Sequence, residues 1–252
     1  MTTINSIVLF LNQELNIHKI ADTSRNGLQV KAGPKHIQKI AFAVDASLET
    51  FKLAKKAGAD LLIVHHGIFW KGAKDSTGTR KTRLTQLKKF KLHLYACHLP
   101  LDMHPECGNN IGLARILGLH NLKPFGKYHG LAIGFQGKFK KPVSLKNLTS
   151  VLNRTLNTRS ILLNFGKPKV KSIGIVSGGG GSVVANLKKE KVDCFITGEA
   201  QHYVYHEAKD MKQNIILAGH YATETVGVKL LMPLLQEKFK LKTIFIGYPT
   251  GF

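Results

Sequence analysis

Short apolar runs alternate with helix-like stretches along almost the whole of this 252-residue sequence. The clearest run, at residues 60–66, reads Asp-Leu-Leu-Ile-Val-His-His, and its unbroken apolar centre is typical of a strand buried on both faces of a parallel sheet. Further strands are predicted at residues 38–45, 92–98, 129–135, 160–165, 170–177, 192–197, 214–219 and 244–246. Helices are predicted at 3–16, 48–57, 82–90, 109–117, 145–154, 182–189, 200–212 and 222–238. This alternation predicts an α/β fold with largely parallel sheets.

The middle of the chain has strands and helices of its own, beginning after Lys123-Pro124. We therefore expect two α/β domains, with the second inserted into the first. The first domain takes residues 1–125 together with 220–252, and the inserted domain takes residues 126–219. A chain of this length gives each domain enough residues for a core.

The chain is strongly basic, with 37 Lys and Arg against 15 Asp and Glu and a net charge of +22. Such an excess attracts polyanions, so nucleotides and nucleic acid are candidate partners. The lysines are spread along the chain, and none of the usual nucleic-acid-binding motifs is present. A basic surface with no specific partner therefore stays open as the other interpretation.

The cysteine count and the apolar runs bear on where the protein acts. Three cysteines without a Cys-x-x-Cys pair indicate neither a disulfide framework nor a zinc ribbon, which favours a reducing cytoplasm. The apolar patch at 7–11 lacks a basic leader, and no apolar run approaches the ~20 residues that span a bilayer. We expect a cytoplasmic protein without a membrane partner.

Histidines and carboxylates stand at the ends of four predicted strands, where open α/β sheets bind ligands. They are His65 and His66, His98 and Asp102, Glu199 with His202, and His220 with Glu224. A lone histidine at such a position is more often structural. Several together supply the nitrogen and oxygen ligands of a divalent metal site. His220 and Glu224 are one helical turn apart, so they share one face of the helix predicted there.

The adjacent His65 and His66 bear on the number of metal ions. Successive side chains of a strand point to opposite faces, so two neighbouring histidines serve two ions more readily than one, provided the strand curls out of the sheet. A carboxylate such as Asp102 or Glu224 can bridge two cations. Two-metal hydrolytic sites hold their ions ~3.5–4 Å apart and activate a shared water.

Two glycine-containing segments are also relevant. The polar segment 22–26 ends in Asn26-Gly27, a turn signal, and is predicted to be a loop over a site. The glycine run 178–181 favours either a flexible turn or a phosphate-binding loop before a helix. It lacks the Lys-Ser/Thr of a P-loop, so we favour the turn.

Five stretches, in this order along the chain, resemble the motifs of the NIF-three-like family. They are Asn26-Gly27-Leu28-Gln29-Val30, His65-His66-Gly67-Ile68-Phe69-Trp70, His98-Leu99-Pro100-Leu101-Asp102, Gly108-Asn109-Asn110 and Gly219-His220-Tyr221-Ala222-Thr223-Glu224. Thr197-Gly198-Glu199 with His202 fits the same family. Its members are also called dinuclear metal-centre hexameric proteins or GTP cyclohydrolase I type 2 homologs.

The resemblance implies two interlinked α/β domains of NIF-three-like fold, with a dinuclear metal site in the cleft between them. It also implies a ring-shaped homohexamer, a trimer of dimers. The metal ligands it implies are His65, His66, Asp102, His220 and Glu224. The resemblance also implies that His98, Glu199 and His202 are supporting or substrate-facing groups, and we predict catalytic roles for Glu199 and His202 and a supporting role for Asn26. Arg25 departs from the family, in which a small residue is more usual before Asn-Gly, and its charge could contact a substrate phosphate or simply be solvated.

The predicted function is that of a metal-dependent hydrolase. It would hold two divalent ions, from among Zn, Fe, Mn, Ni and Mg, and act on an anionic small molecule such as a nucleotide or phosphoester. The alternative is a non-catalytic ring that binds nucleic acid or serves as a metal-handling or regulatory scaffold.

Overall fold

The computed structural model describes residues 1–75 and 77–252, and its strands form two sheets, one in each of two units. Unit 1 comprises Met1–Leu101 and Val228–Tyr248, and unit 2 comprises Asp102–Gly227 and Pro249–Phe252. The boundaries expected from the sequence were 125/126 and 219/220. Residues 102–125 belong to unit 2 because the strand that begins at His120 pairs within the sheet of that unit.

Helices and strands alternate along most of the chain. In chain order they are α1 (Ile4–Glu14), β1 (Gly27–Val30), β2 (Lys39–Asp45), α2 (Leu48–Lys56), β3 (Leu61–His66), α3 (Thr79–Phe90), β4 (His93–Ala96), α4 (Leu99–Asp102), α5 (Asn109–Ile116), β5 (His120–Tyr128), β6 (Leu131–Ser144), α6 (Leu145–Leu156), β7 (Ile161–Asn164), β8 (Lys169–Val176), a 3-10 helix (Gly181–Asn186), α7 (Leu187–Glu190), β9 (Cys194–Thr197), α8 (Val204–Met211), β10 (Asn214–Leu217), α9 (His220–Phe239) and β11 (Lys242–Phe245). Among the residues described, no helix is both long enough and apolar enough to cross a membrane.

The sheet of unit 1 is largely parallel, as the sequence predicts. Its order is β1-β4-β3-β2-β11, and only β1 is antiparallel to its neighbour. The five residues from Leu61 to His65 in β3 are buried, because the strand lies in the middle of the sheet. Ser47 caps α2 and exchanges hydrogen bonds with Thr50, as its position before the helix indicates.

The sheet of unit 2 is mixed, so the expectation of largely parallel sheets is wrong for this unit. Its order is β5-β6-β8-β9-β10-β7, and only the β8–β9 and β9–β10 pairs are parallel. Residues 129–135 were expected to be one strand, but His129 and Gly130 form a two-residue turn between β5 and β6. Both have positive φ, 47° and 83°, as two-residue hairpin turns often require. The sequence pattern missed β5 because most of its side chains are exposed.

Other local differences have similar causes. Strand β1 begins at Gly27, the second residue of the Asn26-Gly27 turn signal, and a strand of four residues gives little pattern to detect. The helix expected at 182–189 is a 3-10 helix that continues into the short α7.

A glycine in β8 allows close packing within unit 2. A Cβ atom at Gly174 would overlap the ring of Phe125, which is buried against the sheet. The rings of Phe125 and Phe195 have centroids 5.9 Å apart, so this contact forms part of the core of unit 2.

Candidate functional site

Two candidate ligands lie at the carboxyl end of β3 in unit 1, where its apolar run stops. His65 is fully buried, and its Nδ1 lies 2.9 Å from the backbone oxygen of Cys97. Because a carbonyl oxygen only accepts hydrogen bonds, Nδ1 of His65 donates and Nε2 carries the lone pair that a metal ion requires. Nδ1 of His66 lies 2.8 Å from Oδ1 of Asp45, its partner on β2, so His66 has the same arrangement.

His98, which follows β4, brings a third imidazole to the same place. Its ring centroid lies 5.0 Å from that of His65 and 5.6 Å from that of His66. The rings of His65 and His66 are themselves 4.6 Å apart, although successive strand side chains normally diverge. This is possible because β3 ends at His66. One ring nitrogen of each histidine lies within 4.8 Å of the others, so the three form one cluster.

The loop before β1 supplies the carboxylate that holds His98. Nδ1 of His98 lies 3.0 and 3.1 Å from the two carboxylate oxygens of Asp22, whose side chain is only 2% exposed. Burial by itself raises the pKa of Asp22. The hydrogen bond and charge of His98, with hydrogen bonds from Asn26 and Ser24, outweigh burial and lower the pKa to about 2. Asp22 is therefore a carboxylate at neutral pH.

Asn26 and Arg25 lie in this same loop. Oδ1 of Asn26 accepts a hydrogen bond of 2.8 Å from the backbone N–H of His98 and so fixes the backbone there. The backbone N–H of Arg25 donates to the oxygen of Phe69 at 3.0 Å, and the Arg25 guanidinium lies 5.7 Å from the centre of the Phe69 ring. Arg25 is exposed and can meet an anionic ligand, although its contact with a substrate stays a prediction.

The predicted helical pair, His220 and Glu224, lies at the start of α9 in unit 2, where His220 is the first residue of the helix and Glu224 the fifth. Nε2 of His220 lies 3.1 Å from Oε1 of Glu224, and Nδ1 of His220 lies 2.9 Å from Oε1 of Glu199. The side chain of Glu224 is 3% exposed, whereas that of Glu199 is 46% exposed. His220 therefore lies between two carboxylates, one buried and one open to solvent.

These carboxylates change the protonation of His220. Burial by itself lowers its pKa, but Glu224 and then Glu199, through hydrogen bonds and charge, outweigh burial and raise the pKa to about 9. Without a metal ion, His220 is therefore an imidazolium at neutral pH. A divalent ion at Nε2 would replace one proton, and Glu199 would keep the hydrogen bond from Nδ1, as carboxylates commonly do for metal-binding histidines.

Asp102 is held in place by a buried polar network in unit 2. Nδ2 of Asn109 and Oγ of Ser177 each donate to Oδ1 of Asp102 at 2.8 Å. The buried Asn110 donates to the backbone oxygen of Asp102 at 3.1 Å and accepts from the backbone N–H of Ser177 at 2.6 Å. One carboxylate oxygen of Asp102 and one of Glu224 lie within 4.8 Å of each other. Glu224 also contacts His220, so these three side chains form a second cluster in unit 2.

Gly178 lets the segment after β8 approach the first turn of α9. Its φ is +61°, and a Cβ atom there would overlap Oε1 of Glu224 and lie 3.1 Å from Nε2 of His220. At the neighbouring Gly179 the nearest atoms to such a Cβ, which belong to Glu199 and His220, are 3.9 Å away. Only glycine at position 178 therefore leaves room for Glu224 where it lies.

Two of the four backbone N–H groups of the glycine run donate hydrogen bonds within the protein. The N–H of Gly178 donates to Oγ1 of Thr223 at 3.0 Å, and the N–H of Gly180 donates to Oγ1 of Thr197 at 2.9 Å. These two donors are not available to a phosphate group. The run acts as a tight turn against α9, which agrees with the turn favoured from the sequence more than with a phosphate-binding loop.

The structure does not bring His202 into either cluster. His202 is exposed before α8, and its ring packs edge-on against His206 with centroids 6.0 Å apart. Among the described residues, the groups of side chains that could hold a metal ion include neither His202 nor Glu199. Glu199 contacts His220 instead, and the catalytic roles of both residues stay predictions.

Three supporting side chains had no predicted role. Asp45 is the last residue of β2 and Ser177 follows β8, so the strand-end position that identified the ligands could also have identified them. Asp22 follows no strand, and the folded chain alone brings it to His98, 76 positions away.

The donor atoms are of the kind that first-row divalent metals prefer. Imidazole nitrogens and carboxylate oxygens suit Zn, Fe, Ni and Mn, whereas Mg favours sites made of oxygen alone. The side chains concerned are buried or half-buried. These histidine and carboxylate groups could therefore hold a metal ion, and their chemistry fits the cofactor that the resemblance implies.

Comparisons with known proteins agree with the motifs. The family model Duf34/NIF3 (NGG1p interacting factor 3) matches residues 2–250. A Pyrococcus horikoshii protein called GTP cyclohydrolase 1 type 2 homolog is 48% identical over 248 residues, which cover 98% of each chain. Two solved structures cover 100% of this chain and of their own. Protein ybgI, described as of unknown function, has a TM-score of 0.92 at 34% identity, and a protein from Thermus thermophilus has a TM-score of 0.90 at 37% identity.

These matches extend over nearly the full length of the chain and agree with the α/β fold described above. They confirm the resemblance seen in the sequence motifs, and the chain belongs to the Duf34/NIF3 family.

Proposed function

We propose that this chain binds two divalent metal ions and hydrolyses a nucleotide or another phosphoester. The proposed ligands are His65, His66, Asp102, His220 and Glu224. The observation that carries the proposal is that each of the three proposed imidazole ligands, His65, His66 and His220, has Nδ1 held by an oxygen atom. This arrangement directs Nε2 toward a metal ion and is the usual support of metal-binding histidines.

Bound divalent ions would lower the pKa of a coordinated water and polarise the phosphoryl group. Imidazole nitrogen makes up a large share of the proposed ligands, so we favour Zn, Fe, Ni or Mn over Mg. That the two ions share one centre in a cleft between two domains stays a prediction of the family resemblance.

The chain's own residues would position the reacting groups. Asn109 and Ser177 keep the carboxylate of Asp102 from rotating, because both donate to the same oxygen atom. Glu199 is half-exposed and contacts His220, so it could exchange protons with solvent. Arg25 could hold an anionic group of the substrate.

Metal analysis of the purified protein tests the first half of the proposal. We expect about two divalent ions per chain, and fewer after His65→Ala or Glu224→Ala. His206→Ala is the matched control, because His206 is an exposed histidine in α8. A wild-type protein that binds no divalent ion, or that binds ions unaffected by either substitution, would refute the proposed ligands.

Turnover assays test the second half. GTP and a panel of phosphoesters would be supplied with Mn, Fe or Zn, and wild type compared with His220→Ala. We expect metal-dependent turnover of at least one compound, with a large loss in the variant. Two tightly bound ions without any such turnover would leave the metal-handling or regulatory scaffold as the better interpretation. In that case gel shifts with DNA across a salt series would test nucleic-acid binding, which must weaken as salt rises.

The family resemblance supports a proposal about assembly, and the cysteines support one about location. We propose a homohexamer, for which light scattering should give six times the 27.8 kDa mass of the chain. We also propose a cytoplasmic location, supported by the three cysteines, none of which is in a disulfide in the part of the chain that the structure describes.

A further inference from the structure

Asp22 is a buried carboxylate without a role in the reaction proposed above. It accepts hydrogen bonds from Nδ1 of His98 at 3.0 Å and from Nδ2 of Asn26 at 2.9 Å. The backbone N–H groups of Ser24 and Leu99 also donate to it, each at 3.0 Å. Four donors around a side chain that is 2% exposed hold Asp22 in one orientation.

This network determines which nitrogen of His98 carries its proton. A carboxylate only accepts hydrogen bonds, so Nδ1 of His98 must be the donor, and in the neutral ring Nε2 then carries the lone pair. Asn26 holds the backbone N–H of His98 at 2.8 Å, so both the main chain and the ring of His98 are fixed. The network therefore offers a hydrogen-bond acceptor, Nε2 of His98, in a defined direction.

The surroundings of His98 indicate what Nε2 could bind. Its ring lies beside the proposed ligands His65 and His66, and the ring of Trp70 meets it edge-on with centroids 5.0 Å apart. The side chain of His98 is 20% exposed and that of His66 is 19% exposed, whereas His65 is fully buried. A water or substrate molecule can therefore reach His98 within the cluster that it forms with His65 and His66.

We propose that Asp22 is a positioning residue that acts through His98, and that Nε2 of His98 accepts a hydrogen bond from the attacking water. The proposal rests on the hydrolytic function proposed above. It gives different roles to the two carboxylate–histidine pairs of unit 1. Asp45 supports His66, a proposed metal ligand, and Asp22 supports His98. Although His98 belongs to a group of side chains that could hold a metal ion, in this proposal it contacts the reacting water and not the metal ion.

The first test reads the tautomer of His98 directly and requires no turnover. Nitrogen-15 NMR of metal-free protein should show His98 with its proton on Nδ1. In Asp22→Asn the side-chain amide can donate to Nδ1, so the proton should move to Nε2 in a large fraction of molecules. A wild-type His98 with its proton on Nε2, or an unchanged tautomer in the variant, would overturn the inference.

The second test combines metal content with kinetics. Asp22→Asn should keep the metal content of wild type and the KM, while kcat falls on the order of 10- to 100-fold. Asp45→Asn is the matched control, because it should lose metal instead. If Asp22→Asn loses metal to the same extent as Asp45→Asn, His98 is a ligand and the proposal is wrong.

A second variant keeps the proposal testable if Asp22→Asn misfolds. In His98→Asn the amide nitrogen occupies the place of Nδ1 and can still donate to Asp22, but nothing replaces Nε2. This variant should fold, bind metal and lose turnover, and full turnover would overturn the proposal. If wild type turns over none of the compounds, the hydrolytic function fails, and the tautomer measurement still decides whether Asp22 controls His98.

Discussion

A methyl group at position 178 should weaken metal binding by His220 and Glu224. The added Cβ would overlap Oε1 of Glu224, so this buried carboxylate must move by roughly 1 Å, a displacement that can cost about 100-fold in a positioned site. An L-residue at a φ of +61° adds about 1–2 kcal/mol of backbone strain. For Gly178→Ala we expect metal affinity to fall about 10- to 100-fold. We expect stability to fall by about 1–3 kcal/mol.

The adjacent glycine provides the control. Gly179→Ala places its Cβ 3.9 Å from the nearest atoms and should bind metal as wild type does. Isothermal titration calorimetry gives the affinities, and urea unfolding of metal-free protein separates the loss of stability from the loss of binding. Equal metal affinity in Gly178→Ala and wild type would refute the reasoning, because Glu224 would then have no need of its present position.

Three further changes test the support of Asp102, the proton on His220 and the packing at Gly174. Ser177→Ala removes the hydrogen bond of 2.8 Å from Oγ of Ser177 to Oδ1 of Asp102, so calorimetry should show metal affinity about tenfold lower. Because the pKa of His220 is raised to about 9, its protonated ring stabilises the metal-free chain below pH 6.5. This contribution is lost as the pH rises toward 9, and urea titrations across that window should show the loss. Metal affinity should rise over the same window, by about tenfold per pH unit if one proton is displaced, and a flat profile would contradict the pKa. Gly174→Ala should cost about 1–3 kcal/mol in urea unfolding through overlap with Phe125, and leave metal affinity unchanged.

The candidate ligands could be predicted from sequence because each lies at a position with a local signal. His65 and His66 end an unbroken apolar run, and His220 and Glu224 are one turn apart on a helix that directly follows another such run. Local patterns of this kind depend only on neighbouring residues, so they can be recognised without knowledge of the fold. The parallel sheet of unit 1 was predictable for the same reason.

The long-range contacts of the supporting residues and the hairpin of unit 2 could not be predicted in this way. Ser177 and Asp102 are 75 positions apart, and their hydrogen bond depends on how the whole of unit 2 folds. Strand β5 has too few buried side chains to produce an apolar run, although the positive φ values of its turn fit the His129-Gly130 sequence. Long-range polar contacts and exposed strands produce no periodic pattern of apolar residues in the sequence.

The exposed side chains of β5 have a consequence for how copies of this protein meet. As the outermost strand of its sheet, β5 presents one row of backbone groups to which a strand from another molecule could add. Lys123, Pro124 and Lys127 are exposed along it. A foreign strand would have to approach two ammonium groups and would find no N–H at the proline. Lysines at these positions therefore disfavour edge-to-edge pairing between separate molecules.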